Sequence, residues 1–241
     1  MNKLAAQWRA INWPLIIPNV IVQMICWSYV PLAYAVGIST TSFKIHLAPL
    51  FIYELLAAFT IVIMYEHHLR SALNLPVLLA TVIFSFSGLW NGNVLLVALL
   101  VLFPLTMLLI QTGMLDRPAE TGLIAYSLTF CFSIPIALVR LTTGFVAASY
   151  IQDLLPLFAI VLFYQTVPFV SHNNHRMLDQ VITGIFAIAC LCLRSLNLPV
   201  IIAVIIIVVS WFIMQQRDDL DKQMALVSFT EMLVIILTYW S

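Results

Sequence analysis

Residues 93–112 read NVLLVALLVLFPLTMLLIQT, with no charged side chain anywhere in the stretch. Crossing a hydrocarbon core about 30 Å thick takes about 20 predominantly apolar residues in a helix, so this segment is long enough to span. Comparable runs occur at 14–36, 47–65, 76–90, 122–147, 152–170, 178–195, 198–215 and 224–240. A helix pairs its backbone groups within the segment, as lipid demands, whereas a barrel needs an alternation that these continuous runs lack. The expected fold is therefore all-α: a polytopic transmembrane helix bundle forming a single transmembrane domain over 1–241. Nine segments is the upper limit. The short run 76–90 and the tight breaks at Asn91 to Asn93 and Arg194 to Asn197 allow re-entrant pairs, giving six to nine membrane segments.

Composition excludes the alternatives. The chain is 63% hydrophobic and 8% charged, with a mean hydropathy of +1.08, whereas soluble domains carry about 25% charged residues. Ten basic and ten acidic side chains balance, so no basic surface suggests nucleic acid. Cys26, Cys131, Cys190 and Cys192 all fall in apolar runs and are expected to be small core residues rather than a disulfide framework. Cys190 and Cys192 point about 200° apart around a helix axis and would not converge on one metal.

Residues 1–13, MNKLAAQWRAINW, put Leu4, Trp8 and Ile11 on one helical face, away from Lys3 and Arg9. That pattern suits an interfacial amphipathic helix, with an ordinary basic flank as the alternative. The charge-then-apolar order up to Val36 resembles a signal sequence, but the run is longer than the usual signal core of about 7–15 residues. It is read as a retained first span. With a cytoplasmic N-terminus and nine crossings, Lys3, Arg9, Arg70, Arg117, Arg176, Arg217 and Lys222 lie inside, against Lys44, Arg140 and Arg194 outside. This excess follows the positive-inside rule.

The segment LRSALNLPV at 69–77 reappears as LRSLNLPV at 193–200 with one residue deleted. Read as a duplication, it divides the chain into repeats at about 14–117 and 118–241, a hallmark of many transporter folds. Chance similarity in low-complexity membrane sequence is the other reading.

Charges within apolar runs are costly and mark function by default. Glu54, Arg140 and Glu231 are the clearest, as transport-path residues or as carboxylates that pair with Arg140 to fix helix packing. Asp153 and Asp179 lie near helix ends. Glu66, His67, His68 and Arg70 form a polar cluster between two runs, and His172 and His175 form a second. Neither fits the H-E-x-x-H zinc pattern, so contact with a cytoplasmic partner is expected in preference to metal. The loops containing Asp116 and Arg117, and Arg217 to Lys222, fall on the same side. No G-x-x-x-x-G-K-[ST] occurs, so the chain has no phosphate-cradling loop of its own. No serine-hydrolase elbow or paired acidic motif of prenyl chemistry is present either, and the chain is not expected to be an enzyme.

The N-terminal interfacial stretch, the polar patch after the second span and the missing nucleotide site resemble the membrane subunits of ABC-2-type exporters, in particular exporters of microcin-type peptide antibiotics. The resemblance implies six spans with re-entrant helices near the outer face, in the inner (plasma) membrane. It implies a homodimer, a cytoplasmic ABC ATPase partner that holds the ATP, and export of a peptide that gives self-immunity. Residues 3–13 would be the interfacial helix and residues 66–75 the coupling helix. Glu66, His67, His68, Arg70, Asp116 and Arg117 would be the ATPase-coupling contacts. The competing expectation is a proton-coupled secondary transporter of a small molecule using Glu54, Arg140 or Glu231.

Overall fold

A computed structural model describes residues 13–36, 48–66, 73–86, 93–115, 119–170, 176–194, 196–216 and 220–240. Nine helices account for nearly all of them: α1 (Trp13–Val36), α2 (Ala48–Glu66), α3 (Asn74–Phe86), α4 (Val94–Gln111), α5 (Ala119–Thr143), α6 (Ala148–Val170), α7 (Arg176–Cys192), α8 (Leu198–Gln216) and α9 (Leu220–Tyr239). Each apolar run of the sequence has become one helix. Six of them, α1, α2, α4, α5, α6 and α8, are long and apolar enough to cross a membrane, while α3, α7 and the apolar part of α9 are shorter. The protein is a membrane-embedded helix bundle. The expected interfacial segment at 1–13 lies outside the described residues up to residue 12, and Trp13 already belongs to α1.

The boundary between α5 and α6 differs most from expectation. The apolar run continues to Ala147, but α5 stops at Thr143 because Gly144 adopts φ 83° and its N–H bonds back to the Arg140 carbonyl at 3.0 Å. This is the left-handed stop that glycine makes without steric cost. Consequently α6 starts at Ala148, and Tyr150 and Asp153 sit in its opening turns.

Every helix packs against the next in sequence, and α9 packs back against α1. Contacts α1–α5 and α6–α9 divide this closed circuit into a five-helix ring and a four-helix ring, joined through α1–α9 and α5–α6. The chain reverses at each connection. Tyr65 at the end of α2 therefore meets Tyr126 early in α5, and Gln215 at the end of α8 meets Gln180 early in α7. We call the end where α1 begins the near end and the other the far end. Helices α2, α4, α6 and α8 finish at the near end.

Burial follows from this circuit. Of the spanning stretches, 72% of both α5 and α6 is buried, against 28% of α8. Helix α8 turns Ile201, Ile202, Ile205, Val209 and Phe212 outward, an apolar face suited to lipid and not to water. Close packing between α6 and α7 uses Gly184, where a Cβ would lie 3.2 Å from the Phe163 ring, the small-residue device of membrane bundles. Cys26, Cys131 and Cys190 are buried as expected, but Cys192 is exposed, because its position on α7 faces away from the one Cys190 occupies.

Side chains from neighbouring helices bond the backbone near three of the helical prolines. A helical proline lacks a donor and displaces the carbonyl four residues earlier, which in lipid must find another partner. Pro104 in α4 frees Leu100, and the Tyr53 hydroxyl of α2 donates to that carbonyl at 2.7 Å. Ser133 of α5 donates to the adjacent Leu99 carbonyl. Beside Pro156 in α6, the Tyr239 hydroxyl donates to the Asp153 carbonyl and accepts from Leu157 N–H at 3.2 Å. Those are the two groups an unbroken helix pairs with each other. Trp27 Nε1 donates to the Phe130 carbonyl at 3.1 Å, a turn before Pro135.

The repeated Asn-Leu-Pro-Val segment opens α3 at Asn74 to Val77 and α8 at Asn197 to Val200. Proline thus sits in the first turn both times, where its missing N–H costs nothing. At Asn197 the side-chain Oδ1 caps the helix by accepting from Val200 N–H at 3.1 Å. The two copies occupy opposite ends of the bundle.

Removing the repairing hydroxyls tests this architecture. Tyr53→Phe and Tyr239→Phe are each expected to cost about 0.6–2 kcal/mol, read as a lowered unfolding midpoint of the purified protein in detergent. A midpoint unchanged in both would mean that the proline breaks need no side-chain partner.

Candidate functional site

Glu54 and Glu231 are both fully buried, at 0% exposure, one on α2 and one in the middle of α9. Ser28 Oγ of α1 donates to Glu54 Oε2 at 3.2 Å. Gln165 Nε2 of α6 donates to Glu231 Oε2 at 2.8 Å. The second oxygen of each carboxyl, Oε1, has no hydrogen-bond partner among the described residues. Arg140, expected as their counter-charge, lies in the last turn of α5 and is only half-buried. The carboxyls take Ser28 and Gln165 instead, because α5 carries Arg140 to the far end of the bundle. An ion pair with Arg140 therefore does not explain why these acids are inside.

Glu231 terminates a string of hydrogen bonds across four helices. Tyr65 of α2 donates to Gln165 Oε1, and its hydroxyl lies 2.9 Å from that of Tyr126 on α5. A phenol has one hydrogen to give and a neutral amide both donates and accepts. The order is thus fixed: Tyr126 to Tyr65, Tyr65 to Gln165, Gln165 to Glu231. Beside it, Tyr164 donates to Ser210 Oγ of α8 at 3.2 Å. The string ties both rings of the bundle together, since α2 and α5 belong to one ring and α6 and α9 to the other.

Further polar groups in the interior are left open. Gln23 on α1 is fully buried with neither amide atom bonded among the described residues, and Asn74 at the head of α3 is the same. Leaving a buried donor or acceptor unsatisfied costs about 1–3 kcal/mol, and in native proteins each such group needs an explanation. Together with the free oxygens of Glu54 and Glu231, they give the bundle a polar interior that a helix-packing role alone would not need. Among the described residues no group of three His, Cys, Asp or Glu side chains is placed to hold a metal ion.

Several sequence expectations lie outside what is described. His67, His68, Arg70, Asp116 and Arg117 fall outside the described residues, as do His172 and His175. Glu66 closes α2, with its side chain not described. Arg176 is described, and its Nη2 caps α8 by donating to the Met214 carbonyl at 3.1 Å, a structural use of that cation. Asp179 lies in the first turn of α7 as expected. Gln165, Tyr65, Tyr126 and Gln23 were missed because a search for charge passes over neutral side chains. The available signal was the amide itself: a glutamine inside an apolar run, at 23 and at 165, carries a polar load that lipid does not tolerate unpaired.

No family model, curated protein or solved structure matches the chain.

Breaking the string from either side should be costly, and breaking both sides less so. Gln165→Leu is expected to destabilise by about 1–3 kcal/mol, because Glu231 loses its donor inside the bundle. Adding Glu231→Met should recover part of that loss, since no buried acceptor then remains. A double-mutant cycle in detergent measures the coupling, and strictly additive effects would show that the two side chains do not interact.

Proposed function

We propose that this chain is the membrane-embedded permease subunit of an ABC-2-type exporter. In this reading a separate cytoplasmic ATPase powers it, and it moves a microcin-type peptide antibiotic out of the cell, giving self-immunity. The observation that carries a transport role is the interior of the bundle: two buried carboxyls, each with one oxygen lacking a hydrogen-bond partner among the described residues, of which Glu231 is joined through Gln165 to two phenols, accompanied by the amides of Gln23 and Asn74, which have no partner among those residues either. Polar groups held open within a lipid-facing shell offer partners to a polar passenger.

The exporter assignment draws on the resemblance in sequence and on the missing phosphate loop. The six helices of spanning length agree with it in number, whereas α3, α7 and α9, interleaved among them, depart from its outer re-entrant pairs. The polar connections after α2, α4, α6 and α8 all follow helices that finish at the near end. That shared end supports a common docking face for the ATPase, on the cytoplasmic side of the inner membrane. Two copies would pair around the path. Glu66, His67, His68, Arg70, Asp116 and Arg117 would meet the ATPase there, with directional charged hydrogen bonds transmitting its nucleotide state.

A second reading is favoured by the hydrogen-bonded order from Tyr126 to Glu231. A carboxyl at the end of a phenol-and-amide string inside the membrane suits a proton-coupled secondary transporter. The two readings part on the energy source. Under the exporter reading a P-loop ATPase co-purifies with the chain, and Glu66→Ala with Arg70→Glu lowers export by about tenfold or more without reducing membrane insertion. Under the carrier reading the purified chain alone transports in liposomes when given a proton gradient, and Glu231→Gln stops it. Export that survives the Glu66/Arg70 changes would remove that loop from the mechanism.

A further inference from the structure

A second polar site sits at the far end, apart from the Glu231 string. The ends of α1, α6 and α9 and the connection from α7 to α8 surround a cavity of about 160 Å³ lined in part by Tyr34, Tyr150, Asp153, Arg194 and Tyr239. Its aromatic walls are fixed in place. The Tyr239 hydroxyl is held in the break of α6, Tyr150 donates to the Pro135 carbonyl at 3.4 Å, and the Tyr34 and Tyr150 rings pack 4.5 Å apart.

Arg194 lies over the face of Tyr239, with its Cζ 4.6 Å from the ring centroid. The guanidinium carries five N–H donors in all. Its Nη1 is shielded from solvent and has no acceptor among the described residues. Asp153 lines the same cavity and is exposed. Its backbone carbonyl is engaged by Tyr239, but its carboxylate forms no ion pair with Arg194. The protein thus presents one cation and one anion to a shared space.

The geometry points to a site for a zwitterionic head group, its primary ammonium directed to Asp153 and its phosphate or carboxylate to Arg194. Such a ligand gives each charge a charge-assisted hydrogen bond, and the tyrosine faces favour the ammonium. A ligand with only one charge leaves the other side unmet. Two sources carry this chemistry: the phosphoethanolamine head of a bilayer lipid, and the backbone ends of a short peptide. The site does not depend on the transport reading above.

The test uses the purified full chain in detergent, following its unfolding midpoint as glycerophosphoethanolamine or diglycine is added. Ethanolamine and glycerophosphate serve as single-charge probes. A ligand that binds the folded state raises the midpoint in a saturable way. The expected result is such a rise with at least one zwitterion, with apparent affinity weaker by about tenfold or more for each single-charge probe and for each of Arg194→Gln and Asp153→Asn. A response to glycerophosphoethanolamine alone assigns the site to lipid, and a response to diglycine assigns it to peptide. No saturable rise with either zwitterion, an equal response to a single-charge probe, or an unchanged affinity in either variant would overturn the proposal.

Discussion

Lipid offers the backbone no hydrogen bonds, and most of what is distinctive in this bundle follows from that deprivation. Nine segments become helices because only helices close their own accounts within a segment. Where proline interrupts the ladder, the freed carbonyl cannot turn to water, and a side chain from a neighbouring helix takes its place. Tyr53 does this for α4, and Tyr239 enters the break in α6 from α9. These bonds are fixed in direction, unlike the apolar contacts around them, which Leu, Ile and Val make equally well with lipid tails. Because apolar area gives helices no reason to prefer each other over lipid, they and the close approach at Gly184 select which helix lies beside which.

The same scarcity gives meaning to the interior carboxyls. In water an acid hydrogen-bonded to an amide would be unremarked. Inside a shell of Ile, Leu and Val it is an energetic liability that persists only with a partner or a purpose. Glu231 has Gln165, which is itself held by Tyr65, so the acid is oriented by a line of groups reaching across four helices. Glu54 has a single hydroxyl. One oxygen on each, and the amide of Gln23, have no hydrogen-bond partner among the described residues, which leaves the interior polar.

The two polar regions differ in kind. The central string is buried, tied by hydrogen bonds and bridges the two rings of the bundle. The far-end cavity is open, walled by aromatic rings, and holds opposite charges that do not meet. Tyr239 stands close to both the fold and this cavity: its hydroxyl repairs α6 while its ring supports Arg194. A residue needed for backbone repair therefore also sets the position of a surface cation, which couples the shape of the far end to the break in α6.

Fold class, number of helical segments and most of their ends were legible in the sequence, because hydrophobic length and turn residues act locally and the solvent leaves one structural answer. Gly144 shows the limit of reading hydropathy alone, since a stop set by one left-handed residue does not change the apolar run around it. Glu54 and Glu231 stood out as charges, but their partners did not. Gln165 is 66 residues from Glu231 and 100 from Tyr65, and no local period connects positions so far apart. Only the order in which the helices pack brings Tyr65, Tyr126, Gln165 and Glu231 to one line and carries Arg140 away from it. Helices in lipid are specified one by one by their own residues, while their arrangement is decided by a few directional contacts between them.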